Sequence, residues 1–89
     1  MQILRSGVEF KKPMRTTGVV DDIEKVHMGE GYFDFTIYYS FEVRGKEYHG
    51  KEINSEKIHT NPYKKGDRIY IVFEKSNPSK NFIYAIIRE

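Results

Sequence analysis

Every second residue is apolar or aromatic in the segment Gly31-Tyr-Phe-Asp-Phe-Thr-Ile-Tyr-Tyr-Ser-Phe-Glu-Val43. A period of two places the odd-numbered side chains on one face of a β-strand. A helix would instead bring Thr36 and Ser40 into the same stripe as Phe33 and Ile37. The segment is therefore predicted to be a strand, and because strands usually have about 3 to 10 residues, we expect it to bend or bulge.

The flanking sequence predicts two further strands and two tight turns. Arg44-Gly45-Lys46 follows the long strand at once, and a glycine that accepts positive φ between two such runs indicates a hairpin returning over Glu47–Ile53. Upstream, Thr16–Val26 is rich in β-branched residues and ends at the glycine-rich turn Gly29–Gly31. These three runs predict an antiparallel meander.

The second half of the chain predicts a C-terminal hairpin. Ile69–Phe73 alternates, and Phe82–Ile87 is almost wholly apolar, as expected of a strand covered on both faces. The connection Asn54–Asp67 contains Pro62 and Gly66 and has room for at most one helical turn.

The predicted strands define an all-β fold: a small five-stranded antiparallel β-barrel or partly open barrel, OB-like or SH3-like, with a meander and a C-terminal hairpin. We assign this single domain to residues 14–89. Residues 1–13 are expected to be an N-terminal arm or an extra strand.

Composition limits the classes of function. The chain has 89 residues, no cysteine and a net charge of +2, which by itself is too small to predict a polyanionic partner. Without cysteine there is no disulfide framework or zinc knuckle. No apolar run approaches the roughly 20 residues of a membrane span, so we expect a chain that is soluble by itself and has no transmembrane segment.

The segment Tyr63-Lys-Lys-Gly-Asp-Arg-Ile-Tyr-Ile-Val-Phe73, followed by Ser76-Asn-Pro-Ser-Lys-Asn81, carries a family resemblance. With Thr17-Gly18-x-Val20 and Gly45-Lys46-x-Tyr48 upstream, it resembles domain-of-unknown-function family 3592 over about residues 16–83. The chain departs from that family's pattern at Phe73-Glu74-Lys75. The resemblance implies a β-domain of a bacterial membrane or envelope protein, and it transfers no catalytic residue.

The titratable residues predict neither a metal site nor an active site. His27, His49 and His59 lack the spacing of metal ligands, so surface histidines are the better interpretation. The carboxylate pairs Asp21–Asp22 and Glu52–Glu56 lack a cleft in which acid and base could be held together. We therefore expect no enzyme, no metal and no cofactor.

Tyrosines and basic residues are the candidate binding residues. Exposed rings on a barrel can stack nucleic-acid bases, and nearby lysines and arginines can follow a phosphate backbone. The same tyrosines are also good strand formers that cover a sheet face. The candidate set is Tyr38, Tyr48, Tyr70, Tyr84, Lys64, Lys65 and Arg68.

Two functions follow as expectations. The first is a non-catalytic accessory or protein-interaction module of a bacterial membrane-associated protein, meeting its partner at a strand edge or at the loop 54–61. The alternative is a stand-alone OB-like binder of single-stranded nucleic acid. Against the alternative, Asp21, Asp22, Glu24 and Glu30 interrupt any continuous positive stripe.

Overall fold

A computed structural model of the chain describes residues 3–5, 8–30, 32–56 and 62–87. The described residues form seven β-strands: β1 (Ile3–Arg5), β2 (Val8–Phe10), β3 (Pro13–Gly29), β4 (Tyr32–Val43), β5 (Lys46–Glu56), β6 (Arg68–Glu74) and β7 (Asn77–Ile86). Strands β3 to β7 make one sheet in the spatial order β5-β4-β3-β6-β7, with every pair antiparallel. The sheet curls strongly into a half-barrel, which confirms the predicted all-β fold in its partly open form.

The core lies on the inner, concave face of this half-barrel. The predicted alternation of β4 is confirmed, because Phe35, Ile37, Tyr39 and Phe41 are buried in one cluster. Partners from the other strands complete the cluster: Val20, Ile69, Ile71, Phe73 and Ile83. Burial of these side chains in one continuous cluster supplies the main stabilising free energy of such a small domain.

The sequence predicted that β4 would bend or bulge, and the bulge lies in its neighbour β3. Strand β4 pairs with β5 in an unbroken register, whereas the β3–β4 pairing shifts between Val20 and Asp22. The extra residue is Asp21, whose carboxylate accepts a hydrogen bond from Ser40 Oγ at 3.0 Å. Val20 and Ile23 are three residues apart, an odd spacing, and both pack on the core, so β3 needs one inserted residue between them.

The predicted hairpin at Gly45 is confirmed. Arg44 and Gly45 have φ values of 53° and 77°, which fit a two-residue turn of the mirror-image type that joins twisted strands. The returning strand is longer than predicted, since Asn54–Glu56 pair with Phe33–Phe35. The prediction that the connection between β5 and β6 begins at Asn54 is therefore wrong. Pairing with β4 outweighs the low strand propensity of Asn and Ser.

The C-terminal hairpin has irregularities that the sequence interpretation missed. The turn is Lys75–Ser76, and β7 already begins at Asn77. The pairing of β7 with β6 is interrupted between Asn77 and Asn81. Pro78 lies in this gap, where no backbone N–H is needed for strand pairing. The prediction that β7 is covered on both faces is wrong at Tyr84, whose side chain is 54% exposed.

The edges β5 and β7 approach each other across the open side of the half-barrel. The Tyr39 hydroxyl on β4 donates to Asn81 Oδ1 on β7 at 2.5 Å. The Asn81 amide group in turn donates to the carbonyls of Pro78 and Ser79, which holds the irregular part of β7. Gly50 on β5 faces the same point, and a Cβ there would overlap the Tyr39 ring and Asn81 Oδ1.

The segment from Phe10 to Lys12 attaches to the outer, convex face of the sheet. Strands β1 and β2 form a separate antiparallel pair. Phe10, at the end of β2, is buried and packs edge-on against Phe82 with 5.2 Å between ring centroids. The Glu74 carboxylate accepts hydrogen bonds from the backbone amides of Lys11 and Lys12, so the segment entering β3 is fastened to the end of β6.

Candidate functional site

The outer face of β3, β6 and β7 brings together residues that are distant in sequence. The β3–β6 register pairs Thr17 with Tyr70 and Val19 with Arg68. Paired residues of antiparallel strands share a face, so Tyr70 stands beside Thr17 on the convex side. In β7, the register shift opposite Tyr70 and Ile71 leaves Tyr84 as the inserted residue, and its ring points outward.

These side chains line an open groove of about 500 Å³, which we call the outer groove; its lining residues are Arg15, Thr16, Thr17, Tyr70 and Tyr84. Tyr70 is 43% exposed and Tyr84 is 54% exposed. The Arg15 guanidinium lies 5.0 Å from the centroid of the Tyr84 ring, within range of a cation–π interaction. The groove therefore combines two accessible aromatic surfaces with the positive charge of Arg15.

The other two predicted tyrosines lie elsewhere. Tyr38 is on the outer face, where its hydroxyl donates a long 3.5 Å hydrogen bond to Glu24, and it does not line the outer groove. Tyr48 is on the inner face, half-buried and stacked on Phe41 with 5.8 Å between centroids. The position of Tyr48 follows from the strand register. The two-residue turn pairs Val43 with Lys46 and therefore also pairs Phe41 with Tyr48.

The predicted basic residues do not form one cluster with the tyrosines. Lys64 and Lys65 are exposed in the turn before β6, and the Lys64 backbone amide donates to Asp67 Oδ2 at 2.9 Å. Arg68 shares the outer face with Tyr70, two residues along β6. Arg15 and Thr17 were missed by the sequence analysis because nothing local predicts that β3 pairs with β6.

A second groove opens at one end of the inner face, between the β4–β5 turn and the β6–β7 turn. We call it the mouth groove; it has a volume of about 430 Å³ and is lined in part by Arg44, Lys46, Tyr48, Phe73 and Lys75. The Lys46 ammonium lies 5.4 Å from the centroid of the Tyr48 ring. Among the described residues that line this groove there is no Asp or Glu.

Among the described histidines and paired carboxylates, His27, His49, Asp21 and Asp22 are exposed. His27 contacts the Phe33 ring, and His49 Nε2 lies 3.5 Å from Glu47 Oε2. His59 and the side chain of Glu56 fall outside the described residues, as does most of the loop 54–61. Within the described part of the chain, no three His, Asp or Glu side chains are grouped to hold a metal ion.

Comparison of the chain with protein-family models, with curated proteins and with solved structures finds no significant match. The resemblance to domain-of-unknown-function family 3592 therefore stays a prediction. Across residues 3–5, 8–30, 32–56 and 62–87, no helix has the length and hydropathy needed to cross a membrane.

Proposed function

We propose that this chain is a non-catalytic accessory domain that binds another protein through the outer groove. The observation that carries the proposal is the pair of half-exposed rings, Tyr70 and Tyr84, held beside Arg15 on a rigid sheet. Tyr and Arg are among the residues that contribute most to protein–protein binding energy. A sheet face fixes their positions, so little conformational entropy is lost on binding.

The outer face already holds one apolar side chain of the chain itself. Phe10 covers the part of β7 around Phe82, next to the outer groove along the same face. This packing shows that the outer face can bury an aromatic ring from a segment that lies outside the five-stranded sheet. Arg15 and Arg68 flank Tyr70, so we propose a partner segment that carries an acidic residue beside an apolar one.

We further propose that the domain belongs to a bacterial membrane-associated protein. The support is the family resemblance of the segment Tyr63–Phe73 and the residues that follow it. The test is fractionation of the native host, with an antibody against this domain to locate the gene product and measure its mass. Recovery with the membranes is the expected result; recovery in the cytosol alone would contradict this part of the proposal.

Site-specific photocrosslinking tests the docking surface. A photoreactive phenylalanine analogue replaces Tyr70 or Tyr84 in the native host, and the same analogue at Tyr38 is the matched control on the same face. We expect one protein to be crosslinked from both groove positions and not from Tyr38. Absence of adducts from the groove, or identical adducts from all three positions, would contradict docking at the outer groove.

The alternative, binding of single-stranded nucleic acid across a face of tyrosines, stays a prediction. The outer face offers it little support, because Tyr38 neighbours Glu24 and pairs with Asp22, and Tyr48 points to the other face. A continuous positive surface is what such binding needs.

A further inference from the structure

Tyr48 and Phe73 line the mouth groove and belong to a run of stacked rings. Phe41 lies between Tyr48 and Phe73, at centroid distances of 5.8 and 5.9 Å and interplanar angles of 23° and 29°. Phe41 and Phe73 are buried, whereas Tyr48 is half-buried at the groove. The buried rings hold Tyr48 in place, so the groove presents a fixed aromatic surface.

The rim of the groove is positively charged. Arg44 sits in the β4–β5 turn, Lys46 begins β5, and Lys75 lies in the β6–β7 turn. All three side chains are exposed and line the same groove. Arginine and lysine are the usual protein partners of phosphate, and tight turns at both sides limit how far the backbone can move.

We propose that the mouth groove binds a nucleotide. Phe41 covers one face of the Tyr48 ring, and the base would stack on the other face in place of the Lys46 ammonium, which lies 5.4 Å from the ring centroid. The displaced Lys46, with Arg44 and Lys75, would hold the phosphate.

Three features of the site support a nucleotide as the ligand. The volume of about 430 Å³ is in the range of small-molecule sites, and Tyr48 and Phe73 give the groove an aromatic lining. The rim carries three cations, and no carboxylate is among the described residues that line the groove.

This inference does not depend on the proposed protein partner. The mouth groove and the outer groove share no lining residue and lie on opposite faces of the sheet. A free mononucleotide and the terminal nucleotide of a single strand carry the same chemistry. The ligands to be tried are therefore AMP and a short 5′-phosphorylated oligoadenylate, which begins with the same nucleotide.

The test is an NMR titration of the whole ¹⁵N-labelled chain with each of these ligands. We expect shifts at the amides of Arg44, Gly45, Lys46, Tyr48, Lys75 and Ser76. Lys46→Gln combined with Lys75→Gln should weaken AMP binding by about tenfold or more, since two charge-assisted contacts are lost. Both side chains are exposed, so the fold should be retained.

Lys64→Gln combined with Lys65→Gln is the matched control, because it also removes two charges, from exposed side chains outside the mouth groove. It should change the affinity by less than about twofold. Adenosine and inorganic phosphate, each with half of the ligand's chemistry, should bind about tenfold more weakly than AMP. Binding of AMP alone would identify a free nucleotide as the ligand, whereas binding of the oligonucleotide, with or without AMP, would identify a strand end.

Three results would overturn the inference. The first is the absence of shifts with both nucleotide ligands at millimolar concentration. The second is shifts that spread over surface lysines and are reduced as much by the Lys64→Gln, Lys65→Gln control as by the groove variant. The third is inorganic phosphate binding as tightly as AMP, since the ring would then contribute nothing.

Discussion

At the scale of single residues, two neighbouring tyrosines on β4 have opposite roles. Tyr39 is buried at 1% exposure and donates to Asn81, whereas Tyr38 faces outward. Tyr39→Phe removes the hydroxyl and leaves a part-buried acceptor without that donor, so we expect a loss of about 1 to 2 kcal/mol in unfolding free energy. Tyr38→Phe, which loses only a long exposed bond, is the control and should cost less than about 0.5 kcal/mol. Urea denaturation measures both, and equal losses would contradict the role assigned to Tyr39.

The charge state of Glu74 bears on stability. Burial of the carboxyl acts to raise its pKa, but hydrogen bonds from the amides of Lys11, Lys12 and Lys75, and the nearby Lys80 ammonium, outweigh burial and lower it. Because the folded-state pKa lies below the ordinary value of 4.5, the stabilisation is present above that pH and is lost as pH falls through the folded-state pKa.

Glu74→Gln tests this account. The variant should be less stable than the wild type at neutral pH, and the difference should narrow as the pH falls below 4.5 and through the folded-state pKa. The exposed Glu42→Gln is the matched control and should have the smaller effect at neutral pH. Denaturation series at several pH values measure the differences. A Glu74→Gln deficit that is constant with pH would mean that the charge does not contribute.

At the scale of elements, the half-barrel depends on the approach of β5 to β7. Gly50 permits it, because a Cβ would collide with the Tyr39 ring and Asn81 Oδ1. Gly50→Ala should therefore destabilise the fold by about 1 to 3 kcal/mol through overpacking. His49→Ala, next to it on β5 and facing outward, is the control and should be close to neutral. Thermal unfolding of both variants checks the prediction, and a neutral Gly50→Ala would show that the two edges can move apart.

The sequence predicts some elements better than others, for physical reasons. The alternation of β4 and the Arg44–Gly45 turn are local signals, and both are confirmed. The extension of β5 to Glu56 and the start of β7 at Asn77 depend on pairing with another strand, which outweighs local propensity. The bulge at Asp21 did leave a signal, the odd spacing of Val20 and Ile23.

At the scale of the whole molecule, the outer groove could not be predicted from the sequence. Tyr70 and Tyr84 belong to the predicted binding set, but Arg15 and Thr17 join them only because β3 pairs with β6 across a long stretch of chain. The outward position of Tyr84 depends on a register shift in β7. Such contacts come from tertiary pairing, whereas a single sequence reports local periodicity.

The central claim is that the outer groove binds a protein. The most direct test is the affinity of the crosslinked partner for the purified domain, measured by titration calorimetry for the wild type, Tyr70→Ala, Tyr84→Ala and Tyr38→Ala. We predict that each groove substitution weakens binding by about tenfold or more and that Tyr38→Ala changes it by less than about twofold. Unchanged affinity for the groove variants, or an equal loss for Tyr38→Ala, would contradict the account.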